Sequence, residues 1–321
     1  MKRVAVLRGG PSEEYDVSML TGNAVLRALA ESEDYQAKDI VITKSGDWLD
    51  GGFVRQPNNI LDTVDIAFVA LHGTYGEDGQ VQKILQRMGI PFTGSRSLPS
   101  GIAFNKELTK NTLRPHGIKM PKHRRFHRSE IGSLEHELDQ IVSDLGGELF
   151  IKPLATGSSI GAKYAPTKDI LKSALLELSE DYDQLLIEEY IRGKEATVGI
   201  INNYRNEELY ILPAIEIIPP KSDTFFSAEN KYNGMTEELV PGRFSYREKT
   251  ELAEIAAKVH KIIDCDSYSR SDFIVKDGEI YFLELNTLPG LTEESLYPKA
   301  AAAVGLDFKN LVKHLVDNAR R

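Results

Sequence analysis

The 321-residue chain has little cysteine and no long apolar run. Cys265 is its single cysteine, so an internal disulfide is excluded, which fits a reducing compartment. Near the start, only Val4 to Leu7 are apolar before a glycine pair, and this run is too short for a signal peptide. No apolar stretch reaches the roughly 20 residues of a transmembrane helix. These absences predict a cytoplasmic protein that does not associate with a membrane.

The chain also has no excess of positive charge. It contains 39 Lys and Arg residues against 48 Asp and Glu residues, a formal net charge of −9. A nucleic acid needs a basic surface, so it is not expected as a partner. A small anion such as ATP needs only local cations and remains compatible with this charge.

The N-terminal third alternates between strand and helix patterns. Strands are predicted at 4–7, 38–43 and 65–71, and helices at 16–30 and 78–88, where apolar residues recur at helical spacing. Such alternation predicts a parallel sheet with crossover helices. In sheets of this kind, ligands bind beyond the carboxyl ends of the strands.

The rest of the chain mixes helices with strands that lack regular alternation. Helices are predicted at 97–113, 131–145, 168–178 and 247–263, and two more close the chain. Strands are predicted near 122–126, 149–152, 185–191, 195–203 and 208–218, followed by a hairpin at 268–286. Residues 219–240 are polar without periodicity, which is typical of a functional loop or of a disordered segment.

The hairpin carries the sharpest local motif, Arg270-x-Asp272 with Glu284-x-Asn286. A two-residue turn would put Asp272 and Glu284 on opposite faces. A three-residue turn would pair residue 272 with 282 and put all four side chains on one face, and this is the register we predict. Two carboxylates and an amide oxygen are ligands suited to Mg²⁺. The alternative is a polar face that merely contacts water.

Each of three other segments could have either a binding or catalytic role or a purely structural one. Lys152 precedes a loop of small residues, 153–161, which could bind phosphate or be a simple connector; the P-loop pattern is missing. His72 follows a strand and could bind a carboxylate or merely line a turn. Lys231 and Tyr232 could act from a closing loop, or belong to a surface loop.

Together and in order, these motifs resemble the D-alanine–D-alanine ligase family of the ATP-grasp superfamily. The matching segments span nearly the whole chain: Gly-Gly-Pro-Ser-Glu-Glu-Tyr-Asp-Val-Ser (9–18), Ala-Leu-His-Gly-x-x-Gly-Glu-Asp-Gly (70–79), Lys106, Ile-Lys-Pro (151–153), Gly-Ser-Ser-Ile-Gly (157–161), Leu-Ile-Glu-Glu-Tyr-Ile-x-Gly-x-Glu (186–195), Lys-Tyr (231–232), Arg-x-Asp (270–272) and Glu-Leu-Asn-Thr-x-Pro-Gly-x-Thr-x-x-Ser-Leu (284–296).

The resemblance implies an α/β (α+β) protein in which an N-terminal parallel-sheet pre-ATP-grasp domain precedes a two-subdomain ATP-grasp fold. The expected units are a Rossmann-like substrate domain at 1–100, a central ATP-grasp subdomain at 101–190, and a C-terminal subdomain at 191–321. The last unit would contain the metal site and a lid loop at 219–240. Homodimers are usual in the family, so a homodimer is expected.

The resemblance also implies a nucleotide and metal site between the last two units. Lys106 and Lys152 would contact the α- and β-phosphates of ATP, and Lys231 the γ-phosphate. The other expected nucleotide contacts are Ser158, Glu188, Glu189, Tyr190 and Ile191, the last four at adenine, and Glu195 at the ribose. Two Mg²⁺ ions, with Mn²⁺ as an alternative, would be held by Asp272, Glu284 and Asn286, with Glu284 bridging.

The implied reaction joins two D-alanines through a D-alanyl phosphate, in peptidoglycan precursor synthesis. Glu14 would bind the ammonium of the first D-alanine and His72 would lie near its carboxylate. Ser295 and Leu296 would receive the carboxylate of the second. The expected catalytic set is completed by Arg270 and the N–H of Gly290, which would stabilise the oxyanion, and by a hydrogen-bonded network of Tyr232 and Ser158 with Glu14.

Two departures from the family bear on the second substrate and the phosphate loop. Thr156 stands where relatives usually carry an acidic residue. Glu293 and Glu294 precede Ser295, and two carboxylates beside a carboxylate-binding site weaken it unless they point away. The alternatives are therefore a D-alanine–D-lactate or D-alanine–D-serine ligase, or a catalytically dead nucleotide-binding module. Lactate-type relatives typically replace the residue equivalent to Tyr232 by histidine, so Tyr232 favours the dipeptide.

Overall fold

The computed structural model describes residues 1–157, 160–220 and 236–320. The helices in these ranges are α1 (Tyr15–Ala30), α2 (Pro57–Leu61), α3 (Gln80–Arg87), α4 (Ser97–Phe104), α5 (Lys106–Leu113), α6 (Leu134–Leu145), α7 (Lys168–Asp181), α8 (Tyr246–Ile263), α9 (Leu296–Ala303) and α10 (Phe308–Asp317). None of these helices combines the length and the apolar character that a membrane span requires.

The strands within the described residues form three sheets. They are β1 (Lys2–Gly9), β2 (Tyr35–Ile42), β3 (Trp48–Asp50), β4 (Phe53–Arg55), β5 (Ile66–Val69), β6 (His123–His127), β7 (Leu149–Pro153), β8 (Lys163–Ala165), β9 (Gln184–Glu189), β10 (Lys194–Tyr204), β11 (Glu207–Ile211), β12 (Ile215–Ile218), β13 (Glu237–Leu239), β14 (Tyr268–Lys276) and β15 (Glu279–Asn286).

The N-terminal sheet has the order β4-β3-β2-β1-β5, with β1 parallel to both β2 and β5. Val4 to Leu7 on β1 are fully buried, as expected for a central parallel strand covered on both faces. The predicted parallel sheet is confirmed. The short antiparallel strands β3 and β4 extend it at one edge. The loops after β1 and β5 carry Glu14 and His72, so both side chains come to the carboxyl end of the sheet.

The central sheet has the order β6-β9-β7-β8, with every neighbour antiparallel. Its core packs against the apolar faces of α6 and α7, which contribute Leu138, Ile141, Leu171 and Leu175. Strand β7 carries Lys152 and the adjacent strand β9 carries Glu188. The sheet therefore presents a lysine and a carboxylate from neighbouring strands.

The C-terminal sheet has the order β13-β12-β10-β14-β15, and β11 pairs with β10. Helix α8 packs on it and begins with a capping box, in which Ser245 and Glu248 satisfy each other's backbone N–H groups. Ala103 and Leu113, from α4 and α5, belong to the same hydrophobic cluster as this sheet. These two helices thus pack on the C-terminal sheet; the domain bounds stay a prediction.

The single helix predicted at 97–113 is wrong, because the chain forms two helices that meet at Asn105. Asn105 is extended, with φ −91° and ψ 106°, and its side chain accepts the N–H of Leu108, which caps α5. The break places Lys106 in the first turn of α5. The strand predicted at 208–218 is likewise two strands, β11 and β12, separated by a segment that contains Pro213.

The loop predicted at 219–240 is wrong at its end, because Glu237–Leu239 form strand β13 against β12. Most of the remaining loop, 221–235, lies outside the described residues. The lid assignment therefore stays a prediction.

Candidate active site between the three sheets

A cleft of about 500 Å³ opens where the three sheets meet. Its walls include the predicted site residues Glu14, His72, Lys106, Lys152, Glu188, Glu189, Tyr190, Ile191, Glu195, Arg270, Asp272, Glu284, Asn286, Gly290, Ser295 and Leu296. The structure thus gathers around one cleft the predicted site residues that fall within the described ranges. Ser158, Lys231 and Tyr232 lie outside those ranges.

The hairpin β14–β15 presents its polar residues to the cleft by a register that we did not predict. The turn has two residues, Asp277 and Gly278, with φ of 51° and 79°, so the expected three-residue turn is wrong. The pairing is regular as far as Phe273 with Phe282, and then shifts so that Asp272 pairs with Glu284.

The shift is a β-bulge that adds Leu283 to one strand. Phe282 stays fully buried in the core while Leu283 and Glu284 both line the cleft. Without the extra residue, the regular register would pair Asp272 with Leu283 and turn Glu284 to the opposite face. The expectation that Asp272 and Glu284 share a face is therefore confirmed, through a bulge instead of a longer turn.

Asp272 is held by neighbours on two strands. Arg270 donates from Nε to Oδ1 at 2.9 Å and from an Nη atom to Oδ2 at 2.8 Å, and the Thr197 hydroxyl donates to Oδ1 at 2.6 Å. Burial lowers the pKa of Arg270, but the carboxylates of Asp272 and Glu284 outweigh it, so the net shift of this pKa is upward. The guanidinium is therefore a fixed positive charge in the cleft.

The hairpin face has the donor set of a site for a hard cation. Asp272 and Glu284 face each other, and Asn286, which pairs with Arg270, lies on the same face. The Asn286 amide oxygen also accepts the N–H of Leu288 at 2.8 Å. In the described part of the chain, no group of three or more His, Cys, Asp and Glu residues could hold a metal. A cation here would therefore need the amide oxygen and oxygens from a bound ligand, a mixed oxygen shell that suits Mg²⁺.

Two buried lysines also line the cleft. Lys106 donates to the backbone oxygen of Thr156 at 2.6 Å, and Lys152 lies 2.7 Å from Oε2 of Glu188. Burial lowers the pKa of Lys106. Burial also acts to lower the pKa of Lys152, but the carboxylates of Glu188 and Glu284 outweigh this effect, so the pKa of Lys152 is raised. Two ammonium groups beside a small-residue loop could bind a polyanion.

Sequence reasoning missed Lys110, which follows Lys106 by one helical turn. Its side chain is fully buried and Nζ lies 2.7 Å from Oε1 of Glu188. Burial raises the pKa of Glu188, but Lys110 and Lys152 outweigh it and lower this pKa to about 2. The only available hint was the i, i+4 spacing of two lysines on the helix face that also carries Leu113.

Aromatic rings form the wall next to these charges. Phe150 and Tyr190 stack with ring centroids 6.5 Å apart and an interplanar angle of 28°. Tyr164 contacts Tyr190 at 4.5 Å, and the Arg192 guanidinium lies 5.5 Å from the Tyr190 centroid. A flat apolar wall beside Glu188 suits a planar heterocycle with polar edges.

The N-terminal sheet contributes an acid and a histidine. The Glu14 carboxylate lies against Gly157 and Gly73, since a Cβ on either glycine would crowd Oε2. His72 is buried, with Nε2 2.8 Å from the Thr21 hydroxyl and Nδ1 3.5 Å from Oε1 of Glu77. Burial lowers the pKa of His72, but Glu77 outweighs it and the net shift is upward. A carboxylate and an imidazole at this edge of the cleft could bind the two ends of an amino acid.

Gly290 and Ser295 shape the far end of the cleft. The Ser295 hydroxyl accepts the N–H of Thr292 at 3.1 Å and lies 2.8 Å from the Thr292 hydroxyl. A Cβ on Gly290 would stand 3.0 Å from this hydroxyl. Ser295 immediately precedes α9, whose N-terminus favours an anion.

Positive charge balances only in part the two glutamates that departed from the family pattern. Glu293 is exposed. The Glu294 carboxylate lies 3.3 Å from Lys299, which also lies 2.9 Å from Glu238. The lysine compensates part of the negative charge at this end of the cleft.

Comparisons with known proteins agree with this geometry. A family model described as the D-ala D-ala ligase C-terminus matches residues 112–317, and one described as the N-terminus matches residues 51–95. The D-alanine–D-alanine ligases of Carboxydothermus hydrogenoformans and Pelotomaculum thermopropionicum are 35% and 36% identical to the chain. These alignments cover 98% and 99% of the chain and 97% and 96% of the relatives.

Two solved structures extend the likeness to the whole fold. The D-alanine–D-alanine ligase of Bacillus anthracis complexed with ATP has a TM-score of 0.78 at 31% identity, and covers 99% of this chain and 97% of its own. The VanG D-Ala:D-Ser ligase of Enterococcus faecalis has a TM-score of 0.83 at 29% identity, with 98% of both chains covered.

Proposed function

The chain belongs to the D-alanine–D-alanine ligase family, and we propose that it uses ATP to join two D-alanines into D-alanyl-D-alanine for peptidoglycan synthesis. One observation carries this proposal: the buried lysines, the Arg–Asp–Glu–Asn face, Glu14 and His72 line the same cleft. A module that only bound a nucleotide would not need Arg270 or the amino-acid end of the site.

The nucleotide would lie between the central and C-terminal sheets. Its adenine would contact Glu188 to Ile191 and its ribose Glu195, all of which line the cleft. Lys106 and Lys152 would bind the α- and β-phosphates, since both lysines line the cleft and carry positive charge. Ser158 and Lys231 belong to the same proposal on sequence grounds.

The first step would activate the carboxylate of one D-alanine. This carboxylate is a poor acyl donor because its leaving group would be oxide. Its oxygen would attack the γ-phosphorus of ATP, which breaks the bond to ADP and gives D-alanyl phosphate. Glu14 would bind the ammonium and His72 would lie near the carboxylate, which fixes the attacking oxygen in line.

The second step would form the peptide bond. The neutral amine of the second D-alanine would attack the acyl carbon, and the resulting tetrahedral intermediate would lose a proton from its nitrogen and release inorganic phosphate. Arg270 and the N–H of Gly290 would stabilise the oxyanion. Ser295 and Leu296 would receive the carboxylate of the second substrate, and Tyr232 with Ser158 would complete a network with Glu14.

The divalent cation requirement belongs to the same proposal. Asp272, Glu284 and Asn286 would hold two Mg²⁺ ions, or Mn²⁺ in their place, because they offer hard oxygen donors on one face. When bound, these ions would neutralise charge on the transferred phosphoryl group.

We also propose a homodimer located in the cytoplasm. Sedimentation of the full chain would test the assembly: a mass of twice 35.8 kDa supports it, and a monomer at enzyme-assay concentrations contradicts it.

A substrate screen tests the proposed function. The chain would be incubated with Mg-ATP and D-alanine, D-alanine plus D-lactate, D-alanine plus D-serine, or L-alanine, and the products separated by chromatography. We expect D-alanyl-D-alanine wherever D-alanine is present, with one ADP per dipeptide. Preferred formation of the D-lactate or D-serine product would assign a different second substrate. ATP binding without any ligation would favour the dead-module alternative.

A further inference from the structure

A buried ion triad borders the proposed nucleotide site and includes one lysine that the proposed mechanism does not use. Nζ of Lys152 lies 2.7 Å from Oε2 of Glu188, and Nζ of Lys110 lies 2.7 Å from Oε1. The Lys110 side chain has no solvent exposure, and that of Glu188 is 3% exposed. Glu188 and Lys152 line the cleft, whereas Lys110 stands behind them.

The two lysines differ in what they can do when a nucleotide binds. Lys152 borders the small-residue loop, so its ammonium can turn from Glu188 to phosphate oxygens. Lys110 sits inside α5 one turn beyond Lys106 and is packed away from the cleft. If Glu188 had Lys152 alone, this exchange would leave a buried carboxylate without a counter-ion, which is strongly unfavourable. Lys110 removes that penalty.

A carboxylate held in this way binds a hydrogen-bond donor and disfavours a hydrogen-bond acceptor. Ionised Glu188 is acceptor-only, and each oxygen has more than one lone pair, so Oε2 can accept one further N–H after Lys152 leaves. An adenine against Phe150 and Tyr190 would offer its exocyclic 6-amino group as that donor. A guanine would present a carbonyl oxygen at the same ring position, and two acceptors would face each other.

We propose that Lys110 is a positioning residue for purine selection: it keeps the Glu188 carboxylate ionised and fixed, so that Glu188 recognises a 6-amino group while Lys152 serves the phosphates. This proposal rests on the proposed nucleotide site. It assigns to Lys110 no contact with the substrate.

Binding measurements on the full chain separate this role from a purely structural one. Titration calorimetry with Mg²⁺ and without D-alanine would compare ATP with purine riboside triphosphate, which lacks the 6-amino group. For Lys110→Met we expect both affinities to fall, because Lys152 is then the sole counter-ion of Glu188, and we expect the ratio of the ATP affinity to the analogue affinity to fall at least threefold. Lys119→Met is the control, because it removes the lysine of a solvent-exposed pair with Glu279; it should leave both affinities unchanged.

Equal losses for both nucleotides, or no loss for either, would overturn the proposal. If Lys110→Met does not fold, Lys110→Gln replaces it, since a neutral donor holds Glu188 less firmly: reduced discrimination supports the proposal and unchanged discrimination overturns it. A wild type that binds both nucleotides equally would also overturn it. That result would not affect the ligase proposal, which is judged by dipeptide formation.

Discussion

The Glu14 carboxylate lies directly against Gly157, so the first loop of the N-terminal sheet contacts the small-residue loop of the central sheet. A Cβ on Gly157 would overlap Oε2 of Glu14. Because Gly157 does not have a positive φ, its backbone could accept alanine, and the side chain that would have to move is Glu14.

Gly157→Ala is expected to raise the KM for the first D-alanine about tenfold, equivalent to about 1.4 kcal/mol, because Glu14 is displaced from the ammonium it would bind. Stability should change little, since only the end of a flexible side chain moves. Steady-state kinetics and thermal unfolding measure the two effects. Gly147→Ala is the control, because a Cβ there meets nothing within 4 Å. A KM that matches this control would refute the assigned role of Glu14.

Arg270→Lys should lower kcat by about a hundredfold, the usual scale for losing a donor to an oxyanion. Lysine cannot reproduce the two hydrogen bonds that Arg270 makes to Asp272. Arg3→Lys is a matched control, because Arg3 makes the same bidentate contact with Asp65 at the surface. Initial rates at saturating substrates decide between the variants. Equal rates for both would place Arg270 outside the reaction.

The burial of His260 predicts that the folded protein loses stability in mild acid. Burial lowers the pKa of this side chain to about 4, so the unfolded chain takes up a proton between about pH 6.5 and 4 while the folded chain does not. Stability contributed by neutral His260 is thus present above pH 6.5 and lost as the pH falls. From pH 7 to 5 the loss is about 2 kcal/mol.

Urea unfolding of wild type and His260→Gln at the two pH values measures this term. The variant should show a pH dependence smaller by about that amount. The exposed residue His136 provides the control, and His136→Gln should behave as wild type. Identical pH dependence in all three proteins would mean that His260 is not the group responsible.

Tyr232 supports a prediction that rests on charge and sequence alone. A phenol is neutral at pH 7, with an ordinary pKa of about 10, so it does not repel an incoming ammonium. A protonated histidine would repel the ammonium and attract the lactate carboxylate. Tyr232→His should therefore form some D-alanyl-D-lactate, with a larger share at lower pH. Chromatography of mixed-substrate reactions gives the ratio, and a wild type that forms mainly the depsipeptide at pH 7 would contradict the argument.

Much of the fold followed from the sequence because burial imposes simple periodicities. The parallel sheet, the long helix α8 and the hairpin β14–β15 all have clear apolar patterns. The break at Asn105 was missed because residues 97–113 have a nearly continuous helical pattern. A polar residue that caps the second helix from inside such a pattern looks like any exposed position.

The candidate site was predictable where several motifs occur together, and unpredictable where packing decides. The bulge at Leu283 allows Phe282 to be buried in the core while Glu284 faces the cleft. Turn preferences alone do not reveal that both requirements act on this strand. Lys110 was missed because a helical lysine is ordinarily solvated. Its burial depends on Glu188, 78 residues further along the chain, which α5 meets only in the folded protein.

Transfer of ¹⁸O tests the proposed ligation most directly. D-alanine labelled in both carboxylate oxygens would be incubated with the chain and Mg-ATP, and the products examined by mass spectrometry. Attack of the carboxylate on the γ-phosphorus predicts one ¹⁸O in each inorganic phosphate, and one in the peptide carbonyl of each D-alanyl-D-alanine. Unlabelled phosphate, or ATP hydrolysis that is independent of D-alanine and forms no dipeptide, would contradict the account.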